Sequence, residues 1–195
     1  MEGPQGTTWR EVAQVGARLK KTIALVGLMG AGKTAVGTAL ARKLDVPFRD
    51  SDAEIVKAAN MTIAEIFARD GEAFFRAKEA QVIARLLDGP PGVLSTGGGA
   101  FLAEANRAAI SARGVSVWLD ADLELLWNRV RHKATRPLLQ TPDPFGTLAQ
   151  LYHDRRPFYA MADLAVTALP RYSIEEMADK VIEALAARPD VLEAA

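Results

Sequence analysis

Apolar residues along this chain fall into short unbroken runs separated by longer stretches of helical spacing. Thr22-Ile23-Ala24-Leu25-Val26 is one such run, and Val46–Arg49, Gly92–Thr96, Val115–Leu119 and Asp163–Thr167 are further candidate strands. A brief apolar run bounded by turn formers reads as a strand covered on both faces. The segments between are rich in alanine and leucine. One of them opens with Thr62-Ile63-Ala64-Glu65, the form in which a hydroxyl and a carboxylate cap a helix start. Strands alternating with helices predict an α/β fold, a parallel sheet of five strands with helices on both faces. Ligands in such sheets bind beyond the carboxyl ends of the strands. Ahead of the first strand, Val12, Val15 and Leu19 recur at helical spacing. They predict a short helix over Trp9–Lys20, within an N-terminal extension of residues 1–20. A main unit at 21–188 and a tail at 189–195 complete the expected organisation.

Composition works mainly by exclusion. A length of 195 residues suits one domain with a sizeable core and a small appended piece. Lysine plus arginine and aspartate plus glutamate both number 24, so charge gives no argument for a nucleic-acid or membrane-surface partner. The absence of cysteine excludes disulfides and thiolate metal sites and suits a reducing compartment. The two histidines, His132 and His153, are too isolated to suggest zinc. No apolar run approaches a membrane span, and the N-terminus lacks the apolar core of a secretory signal. A cytoplasmic protein acting as a monomer is expected.

The chemistry begins directly behind the first strand. Gly27-Leu28-Met29-Gly30-Ala31-Gly32-Lys33-Thr34 has the phosphate-binding form G-x-x-x-x-G-K-[ST], with a helix expected from Lys33 to about Leu44. Glycines let the backbone wrap a phosphate chain, and the helix start adds positive potential. In this reading Lys33 reaches the β- and γ-phosphates of a nucleoside triphosphate and the Thr34 hydroxyl binds Mg²⁺. Asp50-Ser51-Asp52 follows the second strand. In extended backbone, residues i and i+2 point the same way, about 6–7 Å apart. One carboxylate would support Mg²⁺ while the other grips or deprotonates a hydroxyl acceptor. The competing reading is that they cap the helix starting near Ala53, Asp52 being the favoured cap.

Four later segments complete the pattern: Gly71-Glu72-x-x-Phe75-Arg76, Ser95-Thr96-Gly97-Gly98-Gly99, Arg136-Pro137-Leu138-Leu139 and Arg155-x-Pro157-x-Tyr159. With the two motifs above, in this order, the chain resembles the shikimate kinases, within the nucleoside-monophosphate-kinase-like group of P-loop folds. The resemblance runs from about Thr22 to near Ala187. It implies a three-layer α/β/α kinase fold with a mobile lid, using ATP, Mg²⁺ and shikimate. It places Gly30, Ala31, Gly32, Lys33, Thr34 and Ala35 around the phosphates, and Thr34 and Asp50 at the metal. Asp52 falls on the acceptor hydroxyl, as a general base or only a hydrogen-bond partner. Gly97, Gly98 and Gly99 face the substrate's hydroxyls and the transferred phosphate. Arg76 and Arg155 hold the substrate carboxylate, which suits a planar guanidinium. Arg129 packs on adenine, and Arg136 is the lid arginine at the γ-phosphate.

Local sequence keeps rivals for several of these. Glu72 stands four residues before Arg76, so a solvated helix ion pair is an alternative. Arg156 competes with Arg155, which is preferred because it keeps the Arg-x-Pro-x-Tyr spacing. Pro142 and Pro144 predict that the segment after Leu139 is not regular helix. At the level of function the alternatives are a gluconate kinase-like enzyme and a non-catalytic ATP-binding module. The first shares the fold. The second expects damage at the lysine, the acceptor aspartate or the lid arginine, and all three are intact. Contacts on the adenine side, near Leu169–Arg171, are left unassigned.

Overall fold

The computed structural model describes residues 17–132 and 137–193. In chain order the elements are β1 (Arg18–Leu19), β2 (Thr22–Val26), α1 (Lys33–Lys43), β3 (Phe48–Asp50), α2 (Ser51–Ala59) and α3 (Ile63–Leu87). They continue as β4 (Val93–Ser95), α4 (Glu104–Arg113), β5 (Gly114–Ala121), α5 (Leu123–Val130), α6 (Pro144–Tyr159), β6 (Leu164–Ala168), α7 (Ile174–Leu185) and β7 (Leu192–Glu193). Five strands form one parallel sheet in the order β3-β4-β2-β5-β6. The central strand β2 is buried at every position, so both its faces are covered. Helices α1 and α7 pack on each other, as do α3 and α4, and the sheet lies between them. Ile23, Leu25, Leu94 and Leu119 from the strands meet Leu40, Ile83, Ile110 and Leu185 from the helices in the core.

The expected strands are all present with ends displaced by a few residues, and the Thr62 capping box forms as read. Two expectations fail. Arg18–Leu19 is a strand rather than the end of a helix, pairing antiparallel with Leu192–Glu193 and burying Leu19 beneath the pair. The antiparallel pairing decides it, Arg18 opposite Glu193 and Leu19 opposite Leu192, while Trp9–Gly16 lie outside the described residues. At the other end, Val191 and Leu192 are buried, so the expected tail is packed at these two positions rather than trailing. The prolines act as read, since residues 140–143 form no helix and α6 begins only at Pro144. Pro144 occupies the first turn of α6, where its missing N–H costs nothing, and Asp143 caps that turn by accepting from Gly146 N at 2.9 Å. One departure bears on the site: α3 is bent at Gly71, whose φ of +82° suits glycine, so the turn carrying Arg76 starts a new helical segment.

Candidate active site

The loop after β2 turns into α1 at Gly32, which has a φ of +97° and no side-chain cap. Nothing acidic lies in the first turn, so the helix start keeps its positive character. Lys33 folds back over this loop, donating to Gly27 O at 2.7 Å and Leu28 O at 3.2 Å. Arg129, reaching over from α5, donates to Gly30 O at 3.2 Å and Ala31 O at 3.3 Å. Burial lowers its pKa, which is the expected cost of seating a guanidinium against the loop.

Asp50 joins the phosphate loop to the next motif. Its Oδ2 accepts from the Thr34 hydroxyl at 3.0 Å, and Ser95 Oγ stands 3.4 Å from the same hydroxyl. Its Oδ1 accepts from Asp52 N at 3.0 Å and Ala53 N at 3.2 Å, making Asp50 the cap of α2. Helix α2 therefore starts at Ser51, and Asp52 lies inside its first turn rather than capping it. The extended-chain argument for the carboxylate pair does not hold, because only Asp50 is in a strand. Both carboxylates nevertheless line one cavity of about 420 Å³ with Gly30, Ala31, Gly32, Lys33, Thr34, Ala35 and Arg129.

Gly97 and Gly98 line the same cavity, and the glycines are packed against the remaining candidates. A Cβ at Gly97 would stand 2.6 Å from Asp52 Oδ1 and 2.9 Å from Glu79 Oε1. At Gly98 it would stand 3.7 Å from Arg155 Nη1, and at Gly99 only 2.5 Å from Arg76 Nη2. Side chains are excluded from the first and last of these positions, because two acids and an arginine already fill the space. The three glycines thus gather Asp52, Arg76 and Arg155 around one short loop.

Arg76 keeps its helix ion pair with Glu72, two contacts of 3.3 Å, and adds a shorter one of 2.8 Å from Nη1 to Glu79 Oε2. Burial opposes its charge, but Glu79 and then Glu72 outweigh that and raise its pKa. Glu79 is 1 % exposed, and its Oε1 has no hydrogen-bond partner. Burial raises the Glu79 pKa; Arg76 opposes the rise, Asp52 adds to it and Arg155 opposes it. Tyr159 closes the arrangement by donating its hydroxyl to Gly98 O, and burial pushes its pKa up to about 12.

Arg156 is engaged elsewhere, on Asp120, at 2.6 Å and 3.1 Å. Arg136 lies outside the described residues. Sequence reasoning missed Glu79, which looked like any other acid in an alanine-rich helix. It also missed Tyr172, Ser173, Ile174 and Met177, which line the cavity beside Arg129. A signal for the latter was present in Ser173-x-x-Glu176, a capping box that marks the start of α7.

The sequence model of the shikimate kinase family matches residues 29–186. A shikimate kinase from Cereibacter sphaeroides is 69% identical over 180 residues, covering 92% of this chain and 90% of the relative. One from Ruegeria pomeroyi is 68% identical over 177 residues, covering 91% of each. The solved shikimate kinase from Acinetobacter baumannii, in complex with shikimate, superposes with a TM-score of 0.81 at 37% identity, over 86% of this chain and 93% of that one. A gluconokinase from Sinorhizobium meliloti reaches a TM-score of 0.58 at 19% identity, over 87% of this chain and 94% of its own, a likeness of fold alone. With the phosphate loop, Asp50, Asp52, Gly97 and Gly98 lining one cavity and Arg76 and Arg155 packed against the glycine loop outside its lining, the chain belongs to the shikimate kinase family.

Proposed function

We propose that this chain transfers the γ-phosphoryl group of ATP to the 3-hydroxyl of shikimate, a step toward chorismate and the aromatic amino acids. The observation that carries the reading is the continuity of one cavity from the Lys33 loop to Asp52 and the glycines at 97 and 98. A donor at one end and an acceptor at the other can meet without crossing water. Lys33 exchanges the Gly27 and Leu28 carbonyls for phosphate oxygens and offsets their charge. Arg76 and Arg155 hold the acceptor's carboxylate. Asp52 receives the hydrogen bond of the 3-hydroxyl and takes its proton as the new O–P bond forms and the bond to the β-phosphate oxygen breaks. Arg129 covers the adenine, and Arg136 completes the charge around the γ-phosphate.

The Thr34 hydroxyl and the Asp50 carboxylate, 3.0 Å apart with Ser95 Oγ beside them, are a hard oxygen set that fits Mg²⁺ shared with nucleotide phosphates. When bound there, Mg²⁺ supplies charge neutralisation at the phosphoryl oxygens.

The test is ATP consumption by the purified protein with shikimate, gluconate or AMP in separate reactions. Turnover with shikimate alone is expected. Turnover with gluconate would overturn the acceptor assignments while leaving the phosphate loop intact.

A further inference from the structure

Arg155 and Arg156 are neighbours on α6, about 100° apart around its axis, so they serve different sides of the helix. Arg155 faces the Gly98 loop, while Arg156 faces β5. There its guanidinium meets Asp120 as a two-point fork, Nη1 to Oδ1 at 2.6 Å and Nη2 to Oδ2 at 3.1 Å. Nη1 also donates to the Tyr152 hydroxyl at 2.8 Å. The group sits 4.8 Å from the Trp118 ring centroid and 5.4 Å from that of Tyr152, both within cation–π reach. Such a planar fork fixes orientation as well as distance.

Elsewhere α6 is held mainly by Leu151 and Tyr152, partly buried against the core, and by Phe145 edge-on to Trp127. Of its sixteen residues only Leu148 and Tyr159 are buried. Tyr159 lies 6.3 Å from Trp118, ring to ring, and Trp118 in turn abuts Gly27 of the phosphate loop. The C-terminal part of α6, which carries Arg155, is thus registered against β5 through the Arg156 ion pair and its aromatic walls, alongside the Tyr159 hydroxyl on Gly98 O and the Arg107 guanidinium over Phe158.

We propose that Arg156 is a positioning residue: forked onto Asp120 and walled by Trp118 and Tyr152, it sets the reach of Arg155 toward the acceptor's carboxylate. The inference rests on the reading of Arg155 as one of the two cations on that carboxylate. Loss of the fork lets the C-terminal part of α6 rotate, and Arg155 then meets the acceptor less often in the productive orientation. The phosphate end of the cavity is spared, because Lys33 and Thr34 are placed by α1.

Steady-state kinetics with shikimate and ATP varied separately, together with thermal unfolding, test this in Arg155→Ala, Asp120→Asn, Arg156→Lys, Arg156→Ala and the double variant Asp120→Asn/Arg156→Ala. Asp120→Asn and Arg156→Ala should each raise the shikimate KM about three- to tenfold, the coupling that contacting residues transmit. The ATP KM should stay within about twofold, and the double variant should be no worse than either single one. Arg156→Lys, which keeps the charge and loses the fork, should fail to restore the KM. An unchanged shikimate KM with a lowered melting temperature would overturn the inference, leaving the pair a brace for the fold. So would equal rises in both KM values, or full rescue by lysine. Arg155→Ala separates the two levels. If it raises the shikimate KM while the fork variants do not, only this inference fails. If it has no effect, the carboxylate clamp and this inference fail together.

Discussion

Replacing Glu79 by glutamine separates what this buried carboxylate does for folding from what it does for Arg76. One of its oxygens receives Arg76 at 2.8 Å, and the other has no hydrogen-bond partner at 1 % exposure. Its pKa lies above the ordinary 4.5, chiefly because burial penalises the charge. A folded pKa above the unfolded one means that the group favours folding fully only when protonated. That contribution fades as pH rises from about 4.5 through the raised value. Glutamine fills the same volume with no charge to desolvate. Glu79→Gln should therefore match the wild type near pH 4.5, and at pH 8 it should be at least as stable, because the penalty for the buried charge is gone. Function should move the other way. A charge-assisted bond is about twice as strong as a neutral one, so Arg76 loses about 1 kcal/mol of orientation, or roughly fivefold in the shikimate KM. Urea unfolding at pH 5 and pH 8, paired with steady-state kinetics, reads both. A variant much less stable at pH 8 with an unchanged KM would refute the reasoning, since Glu79 would then be a structural ion pair and nothing more.

Four further substitutions probe separate parts of the site. Arg76→Ala should raise the shikimate KM about ten- to a hundredfold with the ATP KM within about twofold, as expected for losing charged hydrogen bonds to one ligand; an unmoved shikimate KM would remove Arg76 from the acceptor site. Lys33→Ala should lower kcat about 10²–10³-fold with a smaller change in either KM, because its charge acts where phosphoryl charge develops; a pure KM effect would contradict that role. Gly99→Ala would set a Cβ 2.5 Å from Arg76 Nη2 and so displace the guanidinium. The shikimate KM should rise about tenfold with an unaltered circular dichroism spectrum, whereas wild-type kinetics would show that Arg76 can move without consequence. Asp50→Asn should raise the Mg²⁺ concentration for half-maximal rate about tenfold or more, measured by titration at saturating ATP, since a carboxylate ligand is lost; an unchanged titration would release Asp50 from the metal.

Much of this site was legible because its signals are local. A buried run followed by the glycine loop and Lys33-Thr34 carries both its geometry and its chemistry within about a dozen positions. The same is true of Thr62 and Glu65, which cap one another. What could not be read depends on partners far along the chain. Nothing near Glu79 distinguishes it from Glu72, and seven positions apart they share one face of α3, yet Glu79 is buried beneath the Gly97 loop and Glu72 is exposed, because that loop packs against the helix only about two turns further along. Arg156 and Asp120 are 36 positions apart, and only the fold brings them together. Asp50 and Asp52 were found as a pair for the wrong geometric reason. The strand ends two residues earlier than an extended reading requires, and Asp50 takes the cap because its side chain reaches the amides of residues 52 and 53. Pro142 and Pro144 were legible as the end of an irregular segment, since proline blocks a helix interior but suits a helix start.

The measurement that bears most directly on the central claim is identification of the phosphorylated product after reaction with ATP and shikimate. Phosphorus-31 NMR should show one new phosphomonoester, coupled to the proton on C3, formed in equal amount to ADP. A phosphoester on another oxygen, or ADP released with shikimate unchanged, would contradict the account.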